Sequence, residues 1–355
     1  MSRPIVTALI DTYNHESFIE EAIKSVLEQK FQASELEILV VDDGSTDRTP
    51  ELVRKFQPRV RLLHKPNGGQ ASSFNTGIPE ARGEIVAFLD GDDWWAPGKL
   101  VAITTAFAAN AAVGLVGHGV TQVYPDGRQQ TESPRDMTRF RITSLEGAKA
   151  FRTRKGFLGT SRMAYRREIL RQIGPVPEGL TFEADEYLFT LAGLFADVMI
   201  LRESLTFYRL HDKNLFQLPK GDAKSIRGKQ QVLAVLAQSL RAKLREHGLP
   251  GEIARIIVEC VQVEADLLRL VLDSGFPWET VSTELRIMRV LHGDASFRQH
   301  LFTCMRLIPA LVMPAGAYYR WRYRLSRSAF YNNLRRKFLP FPVPNHVERQ
   351  EKPAP

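Results

Sequence analysis

The sequence predicts an α/β protein built on a mostly parallel sheet that helices cover on both faces. Two observations carry this expectation. Over the first hundred residues, short apolar runs of strand length alternate with segments whose apolar residues recur at helical spacing. The runs are apolar throughout rather than alternating with polar residues, as expected of strands buried on both sides.

The elements follow in chain order. Ile5 to Ile10 reads as a buried strand, with Asp11-Thr12-Tyr13-Asn14-His15 as the loop at its end. A helix comes next, because Phe18, Ile19, Ala22, Ile23, Val26 and Leu27 fall on one face. Leu36 to Val41 is a second buried strand that runs into Asp42-Asp43-Gly44-Ser45-Thr46-Asp47. The second helix begins near Thr49-Pro50, where an early proline fits. Val60 to His64 is a short strand and Lys65-Pro66-Asn67-Gly68-Gly69 a turn. Gln70 to Arg82 reads as a helix closed by Gly83. Ile85 to Leu89 is the next buried strand, and Asp90-Gly91-Asp92-Asp93 follows it.

Later segments are mixed. Val113 to Val123 reads as a strand with Pro125-Asp126-Gly127 as a hairpin turn. Residues 156–164 read as a strand or loop entering a helix at Arg166, and a further helix starts at Phe182. Leu205 to His211 is a strand ending in a polar loop. Long helical stretches cover roughly 222–247, 251–274 and 277–291.

Ligands of open α/β sheets bind at the C-terminal ends of the strands. Three such ends carry polar clusters: Asp11-Thr12-Tyr13, Asp42-Asp43 and Asp90-Gly91-Asp92-Asp93. Three carboxylates at the mouth of a buried strand are costly unless something cationic sits with them. Mg²⁺ or Mn²⁺ shared with a diphosphate suits such oxygen donors. Other nucleotide and metal motifs are missing. The first strand is not followed by G-x-G-x-x-G, no P-loop occurs, and an EF-hand starting at Asp43 would put Arg48 where glycine is required.

Bulk properties set the frame. A chain of 355 residues suits one domain of about 200–250 residues plus an appendage. The expected division is 1–218, with a nucleotide-sugar half at 1–100 and an acceptor half at 101–218; a helical extension at 219–339; and a disordered proline-rich tail at 340–355. The formal charge of +8 favours anionic partners. Cys260 and Cys304 read as buried free thiols with neither disulfide nor zinc spacing, which suits a reducing compartment. Met1-Ser2-Arg3-Pro4 runs straight into a strand, unlike a signal peptide, and no apolar run is long enough to span a bilayer. The expected location is therefore the cytoplasm, with peripheral attachment to the membrane face as an option.

Taken together, the motifs are far more specific than any one alone. Thr-Tyr-Asn-His after the first strand, Val-Val-Asp-Asp-Gly-Ser-Thr-Asp after the second, Asn67-Gly68-Gly69-Gln70 leading to Asn75-Thr76-Gly77, and Ala81-Arg82-Gly83 leading to Asp90-Gly91-Asp92-Asp93-Trp94-Trp95 occur in order. The chain closely resembles the family 2 glycosyltransferases, inverting enzymes of the GT-A fold, over residues 4 to about 215. Glu183-Ala184-Asp185-Glu186 is similar to that family's acidic acceptor motif, and Tyr208-Arg209-Leu210-His211 to its closing strand.

The resemblance implies roles. Thr12 and Tyr13 line the base pocket, and Asp43 hydrogen-bonds the base. Asp90 faces ribose or metal, Asp92 ligates the metal, and Asp93 shares either task. Asp185 matches the catalytic base. His211 stands where relatives contact metal or diphosphate, or is a plain loop histidine. The partners implied are a nucleotide-diphosphate sugar and a saccharide or lipid-linked acceptor. A non-catalytic nucleotide-sugar-binding scaffold is the alternative, against which the intact acidic positions weigh.

Two departures from the family pattern stand out: Asp11 occupies a place often held by a small or apolar residue, and the other concerns phosphate. Phe74 stands where an arginine is common, and Lys65 or Arg82 is the candidate replacement. The C-terminal segment interleaves Tyr318, Tyr319, Trp321, Tyr323, Phe330, Tyr331 and Phe338 with Arg320, Arg322, Arg324, Arg327, Arg335, Arg336 and Lys337. It reads either as a surface for anionic membrane or as aromatics packed inward with solvated arginines. Nucleic acid is not an expected partner, since no recognised module accompanies the charge.

Overall fold

The computed structural model describes residues 5–32, 34–211, 214, 223–273, 275–292, 304, 305, 307–326, 328 and 331. The expected tail and residues 327, 330 and 335–338 lie outside these. The chain divides into two compact units, Met1–Asn214 with Ser239–Ala254, and Leu215–Gln238 with Arg255–Pro355. The division near 218 expected from composition thus falls a few residues earlier, and residues 239–254 belong to the first unit.

The first unit is a mostly parallel sheet. Strands β1 (Val6–Thr12), β2 (Leu36–Asp42), β3 (Val60–His64) and β4 (Ile85–Asp90) pair in parallel in the order β3-β2-β1-β4. The sheet continues through β9 (Ala164–Arg166), β6 (Val113–Val123), β10 (Asp197–Arg209) and β5 (Trp94–Trp95). β9 is antiparallel to both of its neighbours, whereas β6 and β10 are parallel to each other. β7 (Gln129–Glu132) returns from β6 as the expected hairpin, and β8 (Thr138–Phe140) adds to β10.

Helices α1 (Ile19–Leu27), α2 (Thr49–Arg54), α3 (Gly69–Glu80), α4 (Lys99–Ala109), α5 (Leu145–Arg154), α6 (Arg167–Ile173) and α7 (Ala184–Phe195) connect the strands. In α1, Ile19, Ala22, Ile23 and Val26 are all fully buried, while Glu20 and Glu21 complement the helix dipole in its first turn. They join Val6, Ala8, Ile10, Ile38 and Val40 in one core, which explains why β1 and β2 read as unbroken apolar runs.

Gly83 is not the helix stop expected of it. α3 ends at Glu80 after Pro79, and Gly83 is needed for another reason. A Cβ there would lie 2.4 Å from the Thr7 amide nitrogen, so only glycine allows the chain to pass β1 this closely.

The second unit is helical. α8 (Ala223–Glu246) and α9 (Gly251–Leu272) have ends in both units, and α10 (Pro277–His292) and α11 (Ala315–Ser326) lie within the second. No helix among the described residues is long and apolar enough to cross a membrane.

Candidate active site

The register of β1, β2 and β4 brings their C-terminal ends level: Asp11 pairs with Asp90, and Thr12 with Asp42. The sequence-predicted clusters therefore meet at one sheet edge. Beyond β4 the chain turns at Gly91, where a Cβ would come within 2.6 Å of Thr12 Oγ1 and 2.8 Å of His15 Nδ1. The missing side chain lets Asp90, Asp92 and Asp93 gather, with one ligand atom of each within 4.8 Å of the others.

Each acid has its own environment. Asp92 takes His211 Nε2 at 2.9 Å on Oδ2, with His15 Nε2 3.8 Å away. Burial works against its charge, but the His211 hydrogen bond and the charges of His15 and His211 prevail and hold its pKa below the usual value. Asp93 accepts the Arg209 amide at 3.0 Å on Oδ1, while its Oδ2 is buried with no hydrogen-bond partner among the described residues. Asp90 accepts the Ser161 hydroxyl at 3.2 Å. Burial raises both Asp93 and Asp90 well above the carboxylate range, followed by the charge of Asp92 on the former and of Asp11 on the latter.

Asp185 approaches this group from α7. It lies in the first turn of α7, whose N-cap Glu183 takes the left-handed conformation with φ 60°. Thr160 donates to its Oδ2 through both amide and hydroxyl, at 3.1 and 3.3 Å. Burial, then the neighbouring Glu186 charge, raises its pKa. Its charge also acts on Asp11 and Asp90, so the proposed base and the donor-side acids form one electrostatic cluster.

The end of the edge expected to take the nucleotide is built differently. Thr12 is buried and Tyr13 is 44% exposed. Asn14 and Ser45 lace the loops after β1 and β2: Asn14 Oδ1 accepts the Thr46 amide and Ser45 Oγ accepts the Asn14 amide, both at 2.8 Å. Asp43 is buried, and its carboxylate holds Lys65 Nζ and the amides of Gly68 and Gly69, the last at 2.7 Å. Asp43 thus folds the 65–69 loop, and Gly69, with φ +80°, supplies the backbone turn that aims its amide.

The two phosphate candidates go elsewhere. Lys65 is engaged by Asp43, and Arg82 lies before β4, at the opposite end of the strands, beside Glu37 at 3.7 Å. Phe74 is fully buried, its ring edge-on to Phe88 at 5.0 Å; it serves the core.

Several residues of the site were given no role by motif reading. Asp11 is half-buried, its Oδ1 enclosed with no hydrogen-bond partner among the described residues, and burial, then the Asp92 charge, push it up to about 8. Its one signal was a polar residue closing an otherwise apolar strand. Lys99 is fully buried, donating to the Ser161 carbonyl at 2.6 Å and to Thr206 Oγ1 at 3.0 Å. Arg209 lays its guanidinium over Trp94, 4.4 Å from the ring centre, and Trp94 stacks on Phe207. Arg162 carries a guanidinium on which Asp185 acts most strongly among the nearby acidic groups, which include Asp93 and Glu132.

Comparison with known proteins agrees with this geometry. The family model described as Glycosyl transferase family 2 matches residues 7–174. A Bacillus subtilis protein, "Uncharacterized glycosyltransferase EpsJ", is 32% identical over 66% of this chain and 69% of its own length. An uncharacterized glycosyltransferase of Nostoc sp. is also 32% identical, over 59% of this chain and 66% of its own length. The fold is shared with S. aureus TarS 1–349 at 18% identity, TM-score 0.56, covering 89% of this chain and 91% of that one. It is shared too with the mannosyltransferase PcManGT from Pyrobaculum calidifontis, solved with GDP-Man and Mn²⁺, at 20% identity, TM-score 0.52, covering 94% and 84%. With this sheet, this acidic edge and these relatives, the chain belongs to the family 2 glycosyltransferases.

Proposed function

We propose that the chain transfers a glycosyl group from a nucleotide-diphosphate sugar to an acceptor hydroxyl, with inversion and with the help of a divalent cation. The observation that carries this reading is the gathering of Asp90, Asp92 and Asp93 at one strand end, tied through the adjacent Ser161 and Thr160 to Asp185. The cluster fits Mg²⁺ or Mn²⁺: its acidic donors are all oxygen, and Asp93 Oδ2 is buried with no hydrogen-bond partner among the described residues. Asp92 and His211 would hold the ion, with Asp90 and Asp93 shared between it and the ribose. Bound there, the ion supplies Lewis-acid neutralisation of the departing diphosphate. That PcManGT was solved with GDP-Man and Mn²⁺ supports this assignment.

The remaining work falls to the chain's own residues. Thr12 and Tyr13 line the base pocket, whose wall Asp43 fixes through the 65–69 loop. Asp185 takes the proton from the acceptor hydroxyl as that oxygen attacks the anomeric carbon. The bond to the diphosphate oxygen breaks on the opposite face, and the single displacement inverts the centre. Positive charge develops on the sugar in the oxocarbenium-like transition state, and negative charge on the acidic cluster stabilises it.

The reading extends to a saccharide or lipid-linked acceptor in cell-surface polysaccharide or glycolipid synthesis, at the cytoplasmic membrane face. TarS has been solved with UDP-GlcNAc, so UDP-linked and GDP-linked sugars head the donor panel. The test is thermal shift with nucleotide sugars, with and without Mn²⁺, coupled to detection of released nucleoside diphosphate. One donor should stabilise the protein in a cation-dependent way and release its nucleotide. Absence of both signals across the whole panel sinks the proposal.

A further inference from the structure

Six of the eleven exposed large hydrophobic residues among those described lie between positions 276 and 312. Phe276 and Trp278 are each 68% exposed, Met305 and Ile308 61%, Leu311 60% and Val312 79%. They belong to one structural neighbourhood within the second unit. Phe276 and Trp278 flank Pro277 at the start of α10, and the 3-10 turn Ile308–Leu311 packs against both α10 and α11. Scattered exposed apolar residues need no explanation, but a concentration of this kind marks a contact surface.

The same stretch holds charge of one sign. Residues 276–331 contain eight arginines against three acidic residues. Two of the arginines are engaged within the unit: Arg322 pairs with buried Glu284, and Arg286 with Asp266 at 3.0 Å. Arg289, Arg320 and Arg324 are exposed and make no ion pair among the described residues. Of the aromatic residues of α11, Tyr318 does not project. Tyr318 is buried and packs beside Trp321, their ring centres 5.8 Å apart. The sequence expectation that tyrosines of this segment meet a membrane is therefore displaced, for Tyr318, to the apolar residues of α10 and the 3-10 turn.

We infer that this face docks on an anionic lipid surface, with Phe276, Trp278, Ile308, Leu311 and Val312 entering the headgroup boundary and the free arginines meeting lipid phosphate. A lipid interface accepts apolar side chains and cations together, and reversible attachment needs both signals. A second copy of the chain would bring the same positive face against itself, which like-charge repulsion disfavours.

The experiment is vesicle flotation of the full chain with phosphatidylcholine alone and with phosphatidylcholine mixed with phosphatidylglycerol, at low and high salt. Binding should require the anionic vesicles and weaken with salt. Trp278→Ser with Val312→Ser should lower partitioning about tenfold or more, with an unchanged unfolding midpoint, because both positions are exposed. Arg320→Gln with Arg324→Gln should weaken binding to anionic vesicles as a second, charge-only variant. The inference is overturned by no flotation with either vesicle. It is equally overturned by sedimentation showing a dimer that the Trp278→Ser, Val312→Ser variant abolishes. Donor binding does not enter the test, so it stands or falls apart from the proposed transfer activity.

Discussion

Thr160 gives both its amide and its hydroxyl to one oxygen of Asp185, and the adjacent Ser161 gives its hydroxyl to Asp90. A single 3-10 turn, Thr160–Arg162, therefore sets the spacing between the proposed base and the donor-side acids. The geometry of transfer depends on where this turn sits.

Replacing the proposed base is the most direct test. Asp185→Asn keeps the shape and the Thr160 contacts but cannot take a proton. Its kcat should fall by about 10²–10⁴-fold, while the donor dissociation constant stays within a factor of a few. In the parent protein, the raised pKa of Asp185 has a further consequence. The ionised form is the active one, so kcat should decline with falling pH at a pH above that of an ordinary carboxylate. A pH–rate profile and donor titration check both points; full activity of Asp185→Asn would remove it as base.

Lys99 anchors the turn from beneath. Its amine holds the Ser161 carbonyl and Thr206 Oγ1, and burial holds its pKa well below that of a free lysine. Lys99→Met fills similar volume without these bonds. Thr206 still donates to the Ser161 carbonyl at 2.6 Å, so the fold should survive with a loss of about 1–3 kcal/mol. The turn should shift, and misplacement on the ångström scale can cost about a hundredfold in rate. The expected signature is a fall in kcat with little change in donor KM; an equal rise in KM would point to the nucleotide side instead.

What the sequence disclosed follows from how each feature is encoded. Local patterns revealed the β1, β2 and β4 strands, the helix faces and the acidic strand ends, because apolar periodicity and short motifs are contiguous in the chain. Asp90, Asp92 and Asp93 were singled out this way, and their ligand atoms lie within 4.8 Å of one another; Asp185 and His211 were named only by resemblance to the family, and of these His211 bonds Asp92 at 2.9 Å. Lys99 was not legible, because its role exists only through Ser161 and Thr206, 62 and 107 residues away. Gly83 was misread as a helix stop because a close approach to β1, 76 residues distant, looks the same in sequence as a C-cap. Arg82 could be judged as a phosphate ligand only once the direction of β4 placed it at the wrong end of the strand.

Gly91 should be among the least replaceable residues of the acidic loop. A methyl group there meets Thr12 Oγ1 and His15 Nδ1 below 3 Å. Thr12 is buried and linked to His15 at 3.2 Å, so neither group yields freely. Gly91→Ala should destabilise the protein by about 1–3 kcal/mol and weaken cation-dependent donor binding more than a surface Gly251→Ala control, where a Cβ meets open space and no positive φ stands in the way. Calorimetric unfolding and titration of donor with Mn²⁺ distinguish the two; indistinguishable behaviour would refute the steric argument.

Asp11 makes the final case, because its effect on stability has a definite sign. In the folded protein it keeps its proton up to about pH 8, whereas an unfolded aspartate releases it near about 3.9. Between these limits the folded state binds more protons, so stability must fall as pH rises. Asp11→Asn removes the titrating group and keeps the polar shape. With chelator present, the variant should unfold at a higher temperature than the parent at pH 8, by about 2–4 °C for each kcal/mol relieved, and the two should converge toward pH 4. Parallel curves across that range would show that Asp11 does not carry the strain of the cluster. A divalent cation added to the parent should also flatten its pH dependence, because an ion among Asp90, Asp92 and Asp93 offsets the negative charge that holds the Asp11 proton in place.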